Sequence, residues 1–143
     1  MNTIEVRGEV AAPASEVWSL LGDFGGVASW NPFVENARID GDGIGMTRTV
    51  TAAGGARVIE RLDVHDDDAR HIRYTVELES GARSIADIRL EAGRDDTTAV
   101  VWQSIREGAL TDEQQNSIIA TLRSRIDALA EALTRRCTEE RAS

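Results

Sequence analysis

Leu110-Thr111-Asp112-Glu113-Gln114-Gln115-Asn116-Ser117-Ile118-Ile119-Ala120-Thr121-Leu122-Arg123-Ser124-Arg125-Ile126-Asp127-Ala128-Leu129-Ala130-Glu131-Ala132-Leu133-Thr134-Arg135-Arg136 carries one amphipathic pattern from end to end. Ile118, Leu122, Ile126, Leu129 and Leu133 recur every three or four residues, which places them on one face of an α-helix. Ile119 and Ala130 widen the stripe, and Arg123, Asp127 and Glu131 occupy the opposite, solvated face. Thr111 is the expected N-cap, with Gln114 three residues on completing a capping box. Asp112 and Glu113 suit the positive end of the helix dipole, and Arg135 and Arg136 the negative end. At ~1.5 Å per residue the helix is roughly 35–40 Å long. A stripe of that length requires an apolar surface to lie on, and the strand-like segments before it are the only candidate.

Those segments alternate. Thr3 to Val10 puts Ile4, Val6 and Val10 on one face, with Gly8 leaving space between them. Pro13 ends that strand; a short helix from Ser15 to Leu21 and a shorter one at 27–30 follow, the second stopped before Pro32. Phe33 to Asp40 reads as a strand, and 41–45 as a glycine-rich turn. A meander then runs from Met46 to Ala92. Hairpins turning near 53–55, 66–70 and 80–81 pair Arg48 with Glu60, Val58 with Leu78, Leu62 with Tyr74, Val64 with Ile72, Val76 with Ser84 and Tyr74 with Ala86. The other parity sets Asp63 against Arg73, Arg73 against Asp87 and Glu77 against Arg83, the opposite-charge pairs of a solvated face. In the last strand, Thr97 to Arg106, Val100, Trp102 and Ser104 continue the inner parity, while Val101 and Ile105 fall on the other. The expected architecture is α+β: a seven-stranded antiparallel sheet, two short helices after strand 1 and one long C-terminal helix.

Composition narrows the function. The chain has 143 residues, 41% of them hydrophobic, consistent with one domain over 1–143 ending in a flexible tail at 138–143. No apolar run approaches the ~18–20 residues that span a bilayer, and the first residues lack a secretory pattern, so a cytoplasmic protein without integral membrane association is expected. The net charge of −9, from 25 acidic and 16 basic residues, disfavours nucleic-acid binding. Every basic residue is arginine, which excludes lysine Schiff-base chemistry. The single cysteine, Cys137, can form no internal disulfide. No phosphate loop or nucleophilic triad is readable, and no cofactor is expected. His65 and His71 are expected opposite each other beside the 66–68 acidic run, on the outward parity of a solvated hairpin tip without metal-ligand spacing, so no metal is expected.

The inner face is more polar than helix packing alone requires. It carries Arg48, Glu60, Tyr74, Ser84, Trp102 and Ser104, with the small residues Gly8, Ala82 and Ala86. An unpaired polar group inside costs ~1–3 kcal/mol, so these groups need partners. Arg48 and Glu60, on neighbouring strands, would either satisfy each other as a buried ion pair or anchor a ligand. Small residues with a few polar anchors predict an internal, mostly apolar cavity.

Val10-Ala11-Ala12-Pro13-Ala14-Ser15-Glu16-Val17-Trp18, Trp30-Asn31-Pro32-Phe33, Gly43-Ile44-Gly45-Met46-Thr47-Arg48, Glu60-Arg61-Leu62, Tyr74 and Thr98-Ala99-Val100-Val101-Trp102 occur in that order. Together they resemble the SRPBCC superfamily of START-domain, birch-pollen-allergen-like and polyketide cyclase/dehydrase proteins. The resemblance implies a helix-grip fold, a curved antiparallel sheet wrapped around a long C-terminal helix, with a hydrophobic cavity between them. It implies little about reaction, since carriers, hormone receptors, cyclases and chaperone-ATPase activators share the fold. The expected function is binding of a small hydrophobic or aromatic molecule, lipid-like or polyketide-like. The expected ligand-binding residues are Trp30, Phe33, Arg48, Val58, Glu60, Tyr74, Leu78, Ser84, Trp102, Ser104, Ile118 and Leu122. A cyclase or dehydratase using Glu60 or Tyr74 for proton transfer is the first alternative. The second is a protein-interaction module whose cavity is vestigial, which exposed apolar residues such as Val101 and Ile105 on the convex face would favour. The oligomeric state is left open by the sequence.

Overall fold

The computed structural model describes residues 2–142, with side chains described through Arg136. Seven strands, β1 (Asn2–Val10), β2 (Val34–Asp40), β3 (Thr47–Ala52), β4 (Arg57–Asp66), β5 (His71–Leu78), β6 (Arg83–Ala92) and β7 (Thr98–Arg106), form one antiparallel sheet in the order β1-β7-β6-β5-β4-β3-β2. The meander β2 to β7 needs only hairpins, with Gly55 and Gly81 supplying positive φ at two of its turns. Between β1 and β2 the chain crosses from one sheet edge to the other through α1 (Ala14–Leu21) and a 3-10 helix (Phe24–Ser29). The long helix α2 (Asp112–Ala142) then lies against the concave face. No helix among the described residues is long and apolar enough to cross a membrane. The tail expected at 138–143 and the Cys137 thiol lie outside the residues whose side chains are described.

The registers follow from the alternation. Arg48 faces Glu60 and Val50 faces Val58; Tyr74 faces Leu62 and Ala86; Val76 faces Ser84. One pairing departs from expectation. A bulge between Leu62 and Val64 shifts β4 by one residue, so Val64 faces Arg73 and Ile72 faces His65 rather than Val64. Asp63 therefore does not meet Arg73. It accepts a hydrogen bond from Thr75 Oγ1 at 2.6 Å and pairs with Arg61 at 3.1 Å. The other two charge pairs form: Arg73 reaches Asp87 at 3.0 Å and Arg83 reaches Glu77 at 3.7 Å. Asp87 also receives His71 at 2.9 Å and Arg89 at 3.4 Å, which explains a carboxylate that is buried on the outer face.

The core joins Val6, Val10, Leu62, Ile72, Ile88, Val100 and Trp102 of the sheet to Val17, Leu20 and Leu21 of α1 and Leu122, Ile126, Leu129 and Leu133 of α2. β7 settles on the parity of Val100, Trp102 and Ser104; Val101 and Ile105 are half-buried on the outer face and present no exposed apolar patch. The capping box forms in both directions: Gln114 N–H donates to Thr111 Oγ1 at 3.1 Å, and Thr111 N–H donates to Gln114 Oε1 at 2.9 Å.

Gly8 does not leave a space, as the alternation predicts it would. A Cβ built there would stand 2.9 Å from Ile126 Cγ2, so the missing side chain is what lets α2 approach β1. Ala82, expected on the inner face, lies exposed beside the β5–β6 turn. The helix therefore sits tightly on β1 near its midpoint, at Ile126, and the unfilled volume lies elsewhere.

Candidate functional site

That volume lies between the N-terminal half of α2 and strands β3 to β7, in two adjoining lobes. The first, of about 470 Å³, is mostly apolar and is walled by Val27, Trp30, Val34, Val50, Val58 and Trp102, among others. The second, of about 320 Å³, is more polar and lies toward Ser84, Ser104 and Arg106. Val58, Glu60, Trp102, Ser117, Thr121 and Arg125 line both.

Arg48 on β3 and Glu60 on β4 are register partners with side chains on the concave face. Arg48 Nε donates to Glu60 Oε1 at 2.7 Å, and Arg48 Nη1 donates to the Phe24 carbonyl at 2.7 Å. The guanidinium also stacks on Phe24, 4.0 Å from the ring centroid, and on Tyr74, at 4.8 Å. Both charged residues are buried, so the pair is an internal ion pair that ties the 3-10 helix to the sheet while also facing the cavity. The second oxygen of Glu60 makes no hydrogen bond among the described residues. Tyr74 packs edge-on against Phe24, and burial pushes its phenol above the ordinary value of 10.0. The Glu60 charge adds to that shift; the charges of Arg48 and Arg125 and the Arg48 hydrogen bond oppose it.

Each of the twelve sequence-predicted site residues lines a lobe. Trp30, Phe33, Arg48 and Tyr74 border the first; Leu78, Ser84, Ser104, Ile118 and Leu122 border the second; Val58, Glu60 and Trp102 border both. Phe33 and Leu78 are 58% and 40% exposed and so form the rim rather than the interior. Sequence reasoning missed the helix contribution: Ser117, Thr121 and Arg125, spaced by four, make a polar stripe beside the apolar one. It also missed Arg106, at the end of β7, which lines the second lobe.

The histidines do not oppose each other. The β4 bulge sets Asp66 across from His71, and His65 packs against Trp18 with ring centroids 5.3 Å apart. His65 Nε2 lies 2.8 Å from the Gly22 carbonyl, and Trp18 Nε1 donates to Asp67 Oδ1 at 2.8 Å. These contacts dock α1 onto the β4–β5 hairpin.

The family model described as polyketide cyclase / dehydrase and lipid transport matches residues 1–138. The chain belongs to that family. Membership places it in the SRPBCC superfamily, and the curved seven-stranded sheet around α2 is the helix-grip fold. A similar curated protein is the abscisic acid receptor PYL6 of Arabidopsis thaliana, 35% identical over 74 residues, covering 48% of this chain and 34% of the receptor. The chain thus matches about a third of the receptor's length. Among solved structures, a protein from Bacillus thuringiensis superposes with a TM-score of 0.79 at 23% identity, covering 92% of this chain and 98% of that one. Ara h 8.0201 superposes at 0.74 with 19% identity, covering 93% and 98%. At those identities the two structures share the family's fold and carry no argument about chemistry.

Proposed function

We propose that this protein binds a small hydrophobic or aromatic molecule, lipid-like or polyketide-like, in the hollow between the sheet and α2. One observation carries the reading: a mostly apolar lobe of about 470 Å³, open at a rim that includes Phe33 and Thr121, remains unfilled between the sheet and α2. Volumes in this range, lined by aromatic and aliphatic side chains with a few polar groups, are those of small-molecule sites. Trp30, Phe33, Val58, Trp102, Ile118 and Leu122 would supply apolar contact, and Arg48, Glu60 and Tyr74 polar contact. The similarity to an abscisic acid receptor and the lipid-transport description of the family support the same reading.

Native mass spectrometry of the purified protein, with and without added fatty acids and aromatic polyketides, tests it. A retained adduct is expected, and Thr121→Trp, which fills the region shared by both lobes, should reduce occupancy roughly tenfold or more. Equal occupancy in that variant, or none in the parent with any probe, would end the proposal.

A second reading, cyclisation or dehydration of a bound polyketide, is favoured by one feature. The Glu60 carboxylate and the protonated Tyr74 phenol face the same lobe. The carboxylate would take a proton from the carbon between two carbonyls while the phenol donates to the resulting enolate oxygen. If that is the activity, Glu60→Gln and Tyr74→Phe lose turnover and retain binding; unchanged turnover in both excludes these roles.

A further inference from the structure

The polar lobe is electrostatically unbalanced. Arg125 is half-buried on α2, lines both lobes, and makes no hydrogen bond or ion pair among the described residues; its guanidinium lies 5.7 Å from the Trp102 ring centroid. Arg106 Nε donates to Ser104 Oγ at 3.1 Å and meets no carboxylate among them. Trp102 is 1% exposed, and its Nε1–H has no partner among the described residues. Among the described residues, the one acidic residue lining either lobe is Glu60, already engaged by Arg48. Burial, and next the charge of Arg125, push the Arg106 guanidinium below its ordinary value. A chain with 25 acidic and 16 basic residues thus places two half-buried guanidiniums in one lobe, neither meeting a carboxylate among the described residues. Partly desolvated charges without partners are costly, and a ligand carboxylate between them would offset that cost.

We propose that the second lobe receives the carboxylate of an amphipathic ligand whose apolar body occupies the first lobe. Arg125 and Arg106 supply the charge, and the hydroxyls of Ser84 and Ser104 complete the lining. A guanidinium presents its donors in a planar fork suited to a carboxylate. This assignment rests on the binding reading above and narrows its ligand class to organic acids. Arg48, by contrast, is held by Glu60 and the Phe24 carbonyl, and is a wall of the site rather than its anion anchor.

Isothermal titration of decanoate and methyl decanoate against the full chain near neutral pH separates the two ideas. The parent is expected to prefer decanoate by roughly tenfold or more, the worth of a hydrogen bond to a charged group. Arg125→Met should erase most of that preference, lowering decanoate affinity by clearly more than it lowers methyl decanoate affinity. Arg125→Lys, which keeps the charge, should retain part of it and guards against misfolding of the methionine variant. Added salt should weaken decanoate binding more than ester binding. Equal affinity for acid and ester in the parent, or an undiminished preference in both Arg125→Met and Arg106→Met, overturns the anion assignment and leaves the binding reading standing. Failure of both probes to bind overturns both.

Discussion

Tyr74 is the only tyrosine in the chain, and it is buried between Phe24 and the Arg48 guanidinium. Its phenol is pushed above 10.0, so the folded protein holds this proton more tightly than the unfolded chain does. The sign of the linkage follows. The contribution is fully present below pH ~10, where both states are protonated, and is lost as pH rises through the folded-state value. Absorbance titration should show no phenolate in the native protein at pH ~10 and a phenolate step only above it or on unfolding. Tyr74→Phe should flatten that part of the stability–pH curve. A native midpoint at or below the ordinary value would contradict the burial assigned here.

At the scale of elements, the contact between β1 and α2 governs where the hollow can be. Gly8→Ala would drive a methyl group against Ile126 Cγ2, at a built distance of 2.9 Å. Overpacking of this kind costs ~1–3 kcal/mol. Chemical denaturation should register that loss, and in an Ile126→Ala background the same change should cost clearly less, since the clashing atom is gone. Additive losses would mean that the two residues do not meet. This contact also marks a limit of sequence reading. Alternation identifies Gly8 as inward-facing, but whether a missing side chain creates space or admits a neighbour depends on how close the helix comes. The β4 bulge is a second limit. Strict alternation carries the registers from Val58 to Leu62, and nothing in Asp63-Val64-His65 announces the extra residue that turns His65 toward α1. Elements bounded by glycine, proline or a capping box were legible because those signals are local; the bulge is settled by tertiary packing.

At the scale of the whole molecule, the sheet and α2 enclose a space that neither would define alone. The strand half of its wall was readable, because period-two alternation names the inward residues once the registers are fixed. The helix half was obscured, because Ser117 and Thr121 are polar and exposed at the rim and Arg125 is half-buried, so none of them belongs to the apolar stripe. A guest that binds only the folded state stabilises it by ~2.7 kcal/mol at 100 times its dissociation constant. With an unfolding entropy of ~2.1 cal/mol/K per residue, that corresponds to a rise in Tm of roughly 9 °C for a chain of this length. Thermal melts with saturating decanoate should show a shift of that order in the parent and a much smaller one in Thr121→Trp. An equal shift in both would place the guest outside the hollow.

The three indoles are divided by this architecture. Trp30 and Trp102 form walls of the enclosed space, whereas Trp18 is fastened to Asp67 on the far side of α1. Indole emission responds to the polarity around the ring. In Trp18→Phe, the remaining fluorescence would come from the two cavity walls alone. Uptake of a guest should then appear as a spectral shift without any attached dye, giving the protein an intrinsic gauge of its own filling.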